Sequence, residues 1–213
     1  MTGVTTEEAV VFIVEDDDEL RLSLDSLFRS IGLKTSMFAN ARGFMEAKRP
    51  DVTGCLVVDV RLPGLSGLDF HEQLIKAGSA LPVIFITGHG DIPMSVRAMK
   101  AGAVDFLPKP FRDQDMLDAV ASALEIDRKR RRGELELLAL RNRYAELSLR
   151  ERQVMALVTT GLMNKQVAGK LSLSEVTVKI HRGSAMRKMD AKTLPDLVKM
   201  AELLELHGDL QAS

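Results

Sequence analysis

Asp59 stands at the end of an apolar run, Cys55-Leu56-Val57-Val58, and is soon followed by Pro63-Gly64. Such a run reads as a buried strand, and the proline and glycine read as the turn that ends it. A carboxylate there lies on the C-terminal rim of a sheet, where open α/β sheets bind ligands. Three more strand-like segments end on reactive residues. Val10 to Val14 stops at Glu15-Asp16-Asp17-Asp18, Ile84-Phe85-Ile86 at Thr87-Gly88, and Val104 to Leu107 at Pro108-Lys109-Pro110. Acids, a hydroxyl and an amine on one rim make a site for a hard cation and a phosphoryl group.

Mg²⁺ takes near-octahedral oxygen ligands and keeps several waters. Asp16 and Asp59 can each give a carboxylate oxygen to Mg²⁺ (or Mn²⁺). Glu15 can help directly or through water, and the backbone carbonyl of Arg61 is a further candidate ligand. Asp59 is the expected nucleophile, because phosphoryl transfer needs in-line positioning and neutralised oxygens more than a strong base. Lys109 supplies a mobile point charge, Thr87 a hydroxyl, and the backbone N–H groups after Asp59 further donors. Lys109-Pro110 is a candidate cis bond.

These side chains need a scaffold, and the pattern between them supplies one. Strands read at 10–14, 33–38, 54–58, 82–86 and 104–107 alternate with helices at about 18–31, 40–48, 66–77, 92–101 and 113–125. Five such alternations predict a parallel sheet covered by helices on both faces. Right-handed crossovers leave few topologies, and the flavodoxin-like order 2-1-3-4-5 brings the ends of strands 1 and 3 together. Residues 126–146 are rich in charge, including Arg128-Lys129-Arg130-Arg131-Arg132, and read as a helical linker that can continue the fifth helix; Gly133 weakens it. From Leu147 to the last residue, 213, the signals are helical only. Ser148 and Glu151 have capping-box spacing, and Gly161 stops that helix. A helix at about 164–171, the turn at Ser172-Leu173, and a helix at about 175–189 capped by Ser174 form a helix-turn-helix unit. A last helix begins near Thr193 and completes an all-α four-helix domain.

The formal net charge of −1 hides an asymmetry. Residues 1–126 hold 12 Lys/Arg against 19 Asp/Glu, a net −7, while residues 150–192 hold 9 against 3, a net +6. An acidic half suits cations and a basic half suits a polyanion. No apolar run of about 18 residues exists, so no membrane span is expected. Met1 to Glu8 carries two acids and no base, unlike a signal peptide. Cys55 is the single cysteine, which excludes an intrachain disulfide and fits a reduced, cytoplasmic setting. The four histidines lack ligand spacing, which argues against zinc.

Together, the acidic pair Glu15-Asp16, Asp59, Pro63-Gly64, Thr87 and Lys109-Pro110 resemble a response-regulator receiver domain over the first 125 residues. The stretch Ile86 to Met94 followed by Ala101 to Phe106 is similar to the FixJ/NodW-like subgroup of the FixJ/NarL family. Singly, each residue has a plainer reading as a cap, turn or strand former; five in order at strand ends do not. For Asp17 and Asp18 the plainer reading, helix N-terminus, is preferred. One departure is Glu15, where the family usually has aspartate; its extra methylene is expected to move the carboxylate outward. The resemblance implies phosphorylation of Asp59 by a sensor histidine kinase, slow self-dephosphorylation, and a switch in which Thr87 moves toward the phosphoryl group while Phe106 turns inward. It places the dimer face at Met94, Val96, Arg97 and Met99. Arg61 and His89, two residues beyond Asp59 and Thr87, would flank the phosphoryl group.

Leu147 to Val154, Gly161 to Ala168 and Ser174 to Arg182 are similar to LuxR/NarL-type DNA-binding domains, whose second helix enters the major groove of double-stranded DNA. Lys179 and Ile180 are the expected base contacts. Lys165, Thr177, His181, Arg182 and Lys188 are the expected phosphate contacts. Val154, Leu157, Val167, Leu171, Val178, Met186 and Leu197 are the expected core. Gly183 departs from relatives that carry a lysine there. The reading that follows is a transcription regulator, no enzyme beyond its own phosphoryl chemistry, that forms a homodimer when phosphorylated and works with RNA polymerase. Two alternatives are a phosphoryl-sink or protein-interaction regulator that does not read DNA, and a small phosphatase-like enzyme, for which no second catalytic base stands out.

Overall fold

In the computed structural model, residues 9–88 and 92–206 are described. They fall into two units, Met1–Arg131 and Arg132–Ser213. His89, and the chain from 207 onward, lie outside the described residues.

The first unit alternates β1 (Val10–Val14), α1 (Asp18–Ser30), β2 (Lys34–Phe38), α2 (Ala41–Glu46), β3 (Gly54–Asp59), α3 (Gly67–Lys76), β4 (Val83–Thr87), α4 (Ile92–Lys100), β5 (Asp105–Pro108) and α5 (Asp113–Ala145). The five strands form one parallel sheet in the order β2-β1-β3-β4-β5, as expected. Side chains alternate across it, because successive residues of a strand point to opposite faces. Phe12, Val14, Leu56, Val58 and Phe85 pack on one face with Phe44, Phe70 and Leu74. Val11, Ile13, Val57, Ile84 and Ile86 pack on the other with Leu24, Phe28, Met116 and Val120. Strands buried on both faces explain the uninterrupted apolar runs. The edge strand β2 carries Lys34, Thr35 and Ser36, which suits a strand half open to water.

The segment read as a helical linker does continue the fifth helix. Helix α5 runs unbroken through Gly133 for 33 residues and is shared between the two units. Its middle is bound to the sheet by a polar cluster. Asp127 is fully buried and accepts the N–H of Gly54, the first residue of β3, at 3.0 Å. Arg130 and Arg131 pair with the same carboxylate at 2.6 and 2.8 Å, and Arg131 reaches Asp51 at 2.7 Å. Burial raises the Asp127 pKa, but these donors outweigh it and hold the carboxyl below its ordinary value. Four of the five residues of the basic run, Arg128 to Arg131, thus belong to the first unit.

The second unit contains α6 (Leu149–Val158), α7 (Asn164–Leu171), α8 (Glu175–Met189) and α9 (Leu194–Leu203). Leu140 and Tyr144 of α5 join its core. Ser148 and Glu151 form the expected capping box, Gly161 has φ +90°, and Thr193 caps α9. Val154, Val167, Val178 and Leu197 are buried, with Leu157, Leu171 and Met186 packed against them. Met155, Ala185 and Met189 complete the core and had no distinguishing signal in sequence.

Candidate phosphoryl site and nucleic-acid interface

Each strand of the rim delivers its residue because a helix must begin just beyond it. Asp17 is the N-cap of α1, accepting the N–H groups of Glu19 and Leu20, and Asp18 pairs with Arg21. Arg21 also donates to the carbonyl of Glu15 at 2.6 Å, which fixes the turn after β1. That turn leaves Asp16 exposed on the rim and Glu15 buried beneath it. At the end of β3 the backbone is held by α3. A Cβ on Gly67 would lie 2.2 Å from the carbonyl oxygen of Asp59, so only glycine lets the first turn of α3 come this close.

The buried Asp59 carboxylate accepts the N–H of Arg61 at 2.8 Å through Oδ1. Its Oδ2 lies 2.5 Å from Lys109 Nζ. The same ammonium lies 2.8 Å from Glu15 Oε2. The backbone of Lys109 is held by a hydrogen bond from its N–H to the carbonyl of Thr87, 2.7 Å. The Lys109-Pro110 bond is cis. Thr87 is buried at the end of β4, and Phe106 in β5 packs half-buried against the core below it.

Electrostatics follow from this geometry. Burial raises the Glu15 carboxyl above its ordinary value, and the Asp59 charge adds to that against the opposing pull of Lys109. Burial disfavours the Lys109 charge, but hydrogen bonds to Asp59 and Glu15 outweigh it and raise its pKa. The site is therefore short of cationic charge, and one lysine is shared between two acids. Carboxylate oxygens of Glu15, Asp16 and Asp59 lie within 4.8 Å of one another. An all-oxygen set of this size fits a hard divalent cation. The expectation that the longer Glu15 side chain points outward is not met. Its carboxylate turns inward because Lys109 and the Asp17 N–H receive it there.

On α4, Val96 and Met99 are exposed and Met94 is half-buried against the core. Arg97 is engaged with α3, at 2.9 Å from Asp69 and 2.7 Å from Glu72.

In the second unit, Ser172 takes a left-handed turn at the end of α7. Ser174 then caps α8 by accepting the Thr177 N–H at 3.0 Å. Val178, Ala185 and Met189 face the core. The opposite face of α8 therefore carries Val176, Lys179, Ile180, Gly183 and Arg187, all exposed. Lys165 is exposed near the start of α7. Thr177, His181 and Arg182 are half-buried, and Arg182 reaches Asn164 of α7 at 3.3 Å. Lys188 departs from its expected place among the phosphate contacts. Its ammonium is turned toward α6, 2.7 Å from the buried carboxylate of Glu151 and 3.2 Å from the carbonyl of Glu146. The cause is the capping box: Glu151 needs a counter-charge, and Lys188 is the cation within reach. Val176 was not singled out from sequence; its spacing of four from Ile180 is the signal that would have found it.

Comparison with known proteins matches each of the two units to a known family. Residues 11–121 match the response regulator receiver domain family. Residues 145–201 match the luxR family of bacterial regulatory proteins. The chain is 58% identical over 202 residues to Nodulation protein W of Bradyrhizobium diazoefficiens, covering 95% of this chain and 89% of that protein. It is 45% identical to the response regulator protein TodT of Pseudomonas putida, covering 92% and 87%. Among solved structures, the response regulator StyR is similar over 92% of this chain and 98% of its own, at 46% identity and a TM-score of 0.81. Full-length FixJ from B. japonicum is similar over 94% and 99%, at 37% identity and a TM-score of 0.57.

Proposed function

The chain belongs to the two-component response regulators that join a receiver domain to a LuxR-type DNA-binding domain, and on that premise we propose that phosphorylation of Asp59 drives dimerisation and sequence-specific DNA binding. One observation carries the reading: Asp59, Glu15 and Lys109 meet on one rim, with the Asp59 carboxylate already bound to the lysine. Oδ2 of Asp59 attacks the phosphorus of a phosphohistidine on a sensor kinase. The P–N bond breaks, and the histidine nitrogen leaves with the electron pair. Lys109 and the Arg61 N–H hold the carboxylate for in-line attack. Glu15, Asp16, Asp59 and the Arg61 carbonyl would hold a divalent cation, Mg²⁺ or Mn²⁺, which would supply charge neutralisation at the phosphoryl oxygens. Water later attacks the phosphorus, the bond to the Asp59 oxygen breaks, and inorganic phosphate leaves with the carboxylate restored, so the chain's chemistry is limited to phosphoryl acceptance and self-dephosphorylation.

The added charge draws Lys109 and Thr87 toward the phosphoryl oxygens, and Phe106 fills the space that Thr87 leaves. Met94, Val96, Arg97 and Met99 then form the dimer face, and two helix-turn-helix units read a two-fold DNA site in the cytoplasm, in company with RNA polymerase. Lys179 and Ile180 meet base edges, and Lys165, Thr177, His181 and Arg182 meet phosphates. Among the described residues no helix is long and apolar enough to cross a membrane. The test is the mass in solution, by light scattering with Mg²⁺ and beryllofluoride, of wild type and Asp59→Asn. The expected result is a dimer for wild type only. Two monomers, or two dimers, would remove Asp59 as the trigger.

A further inference from the structure

Away from the phosphoryl rim, the first unit holds a cavity of about 410 Å³ that the phosphoryl chemistry does not use. Its wall takes His71 and Ile75 from α3, Leu81 and Pro82 from just before β4, Val104 from just before β5, and Ile126 from α5. In a parallel sheet all strands begin on one edge, so residues that precede β4 and β5 lie at the edge opposite Asp59, the last residue of β3. The cavity is therefore separate from the acid cluster.

Two polar side chains interrupt an otherwise apolar wall. Ser79 is engaged locally, its hydroxyl accepting the Leu81 N–H at 3.5 Å. His71 is different. It is only 5% exposed, and its Nδ1 is buried with no hydrogen-bond partner among the described residues. Its ring stands edge-on to Phe85, with centroids 5.6 Å apart. Packing alone does not call for an imidazole there, since a phenylalanine would meet Phe85 without stranding a nitrogen. Buried polar groups are nearly always paired, because an unpaired one has given up water and regained nothing. Burial lowers the His71 pKa against the opposing pull of Glu72, so the ring is neutral near pH 7. The apolar part of the wall is also unfinished. Ile75 is 48% exposed and Ile126 is 49% exposed, on two different helices that meet at this one cavity. Its volume is in the range of small-molecule sites, and an apolar wall with few polar groups is their common make-up. Water suits such a space poorly, because it needs several polar partners.

We propose that this cavity binds a small, neutral, largely apolar molecule carrying one hydroxyl group, with the hydroxyl on the His71 imidazole and the apolar skeleton against Ile75, Leu81 and Ile126. A neutral imidazole has one N–H and one lone pair, and a hydroxyl both donates and accepts, so the pair forms in either tautomer. A charged ligand is disfavoured, since among the described residues no charged side chain lines the wall to answer it.

The experiment uses the full chain with two probes, 2-naphthol and naphthalene, which share a skeleton and differ by the hydroxyl. The chain has no tryptophan, so probe fluorescence is read clear of indole emission. 2-Naphthol is expected to bind saturably and at least tenfold more tightly than naphthalene, about the value of one hydrogen bond that satisfies a buried group. It should shift the methyl NMR signals of Ile75 and Ile126. His71→Phe keeps a flat ring against Phe85 and should bring the two probes to equal affinity; His71→Leu makes the same comparison without a ring. Ile126→Glu, at a half-exposed helix position, should weaken both probes at least tenfold. No saturable binding of 2-naphthol, or shifts confined to other methyl groups, overturns the site. A preference for the hydroxyl that is absent in wild type, or that survives in both His71 variants, overturns the role given to the imidazole.

Discussion

Glu151→Gln tests the link between the first and third helices of the DNA-binding unit. The Glu151 side chain is only 8% exposed, and its Oε2 accepts both the Ser148 N–H and Lys188 Nζ, each at 2.7 Å. The hydrogen bond from Lys188, then that from the Ser184 hydroxyl, followed by Ser148, hold its carboxyl at about 2, against an ordinary 4.5. At about 1.4 kcal/mol per pH unit, that displacement corresponds to an upper bound of about 3.5 kcal/mol. Lys188 is one-third exposed, so water screens the pair, and a little under half of that, roughly 1.5 kcal/mol, is expected to survive. Glutamine keeps an acceptor for the Ser148 cap and removes the charge alone. The folded-state pKa is depressed, so the stabilisation is fully present above pH 4.5 and is lost as the pH falls through 2. Urea denaturation of the full chain, followed by circular dichroism at pH 7 and again near pH 2.5, gives both points. The variant should be about 1.5 kcal/mol less stable at pH 7, and the gap should shrink toward zero in acid. Lys188→Met should cost a similar amount, and the double variant should cost less than the two single losses added. A pH-independent difference, or fully additive losses, would refute the reasoning and leave Glu151 as a packing residue.

Three further outcomes follow from the receiver unit. Asp127→Asn should destabilise it by about 2 kcal/mol near neutral pH, since two arginines lose their buried counter-charge; because the Asp127 pKa is lowered, the effect should fade below its ordinary 3.8, and a loss that persists in acid denaturation curves would assign it to packing instead. Gly67→Ala should cost about 3 kcal/mol, because the new Cβ meets the Asp59 carbonyl rather than a movable side chain; an unchanged thermal midpoint would contradict that approach. Lys109→Met should make the thermal midpoint rise more steeply with added Mg²⁺ than wild type does, since the lysine occupies the ground between Glu15 and Asp59 that a cation would take, and phosphoryl acceptance should fall at least tenfold, about 1.4 kcal/mol in the barrier. An equal response to Mg²⁺ would show that the lysine does not compete.

Much of this protein is legible in its sequence because strands buried on both faces leave an unmistakable pattern. The runs at Val10–Val14, Gly54–Asp59 and Val83–Thr87 could be packed only between two layers of helix, and their last residues could face only the rim. The caps at Ser148, Ser174 and Thr193 were equally plain, since a hydroxyl before a helix answers a local need for acceptors. Sequence therefore determined the strand order, the places where the helices begin, and which residues meet around Asp59. What it left open depended on partners distant in the chain. The inward turn of Glu15 is set by Lys109, 94 residues away. The place of Asp127 is set by the N–H of Gly54, 73 residues away, so a segment that reads as a charged linker is in part a buried anchor. Lys188 has the composition of a phosphate contact, and only the fold brings it to Glu151. In each case the charge was visible in the sequence, but its counter-charge was not. An ion pair across the fold is chosen by packing, whereas a strand or a cap is chosen by its neighbours.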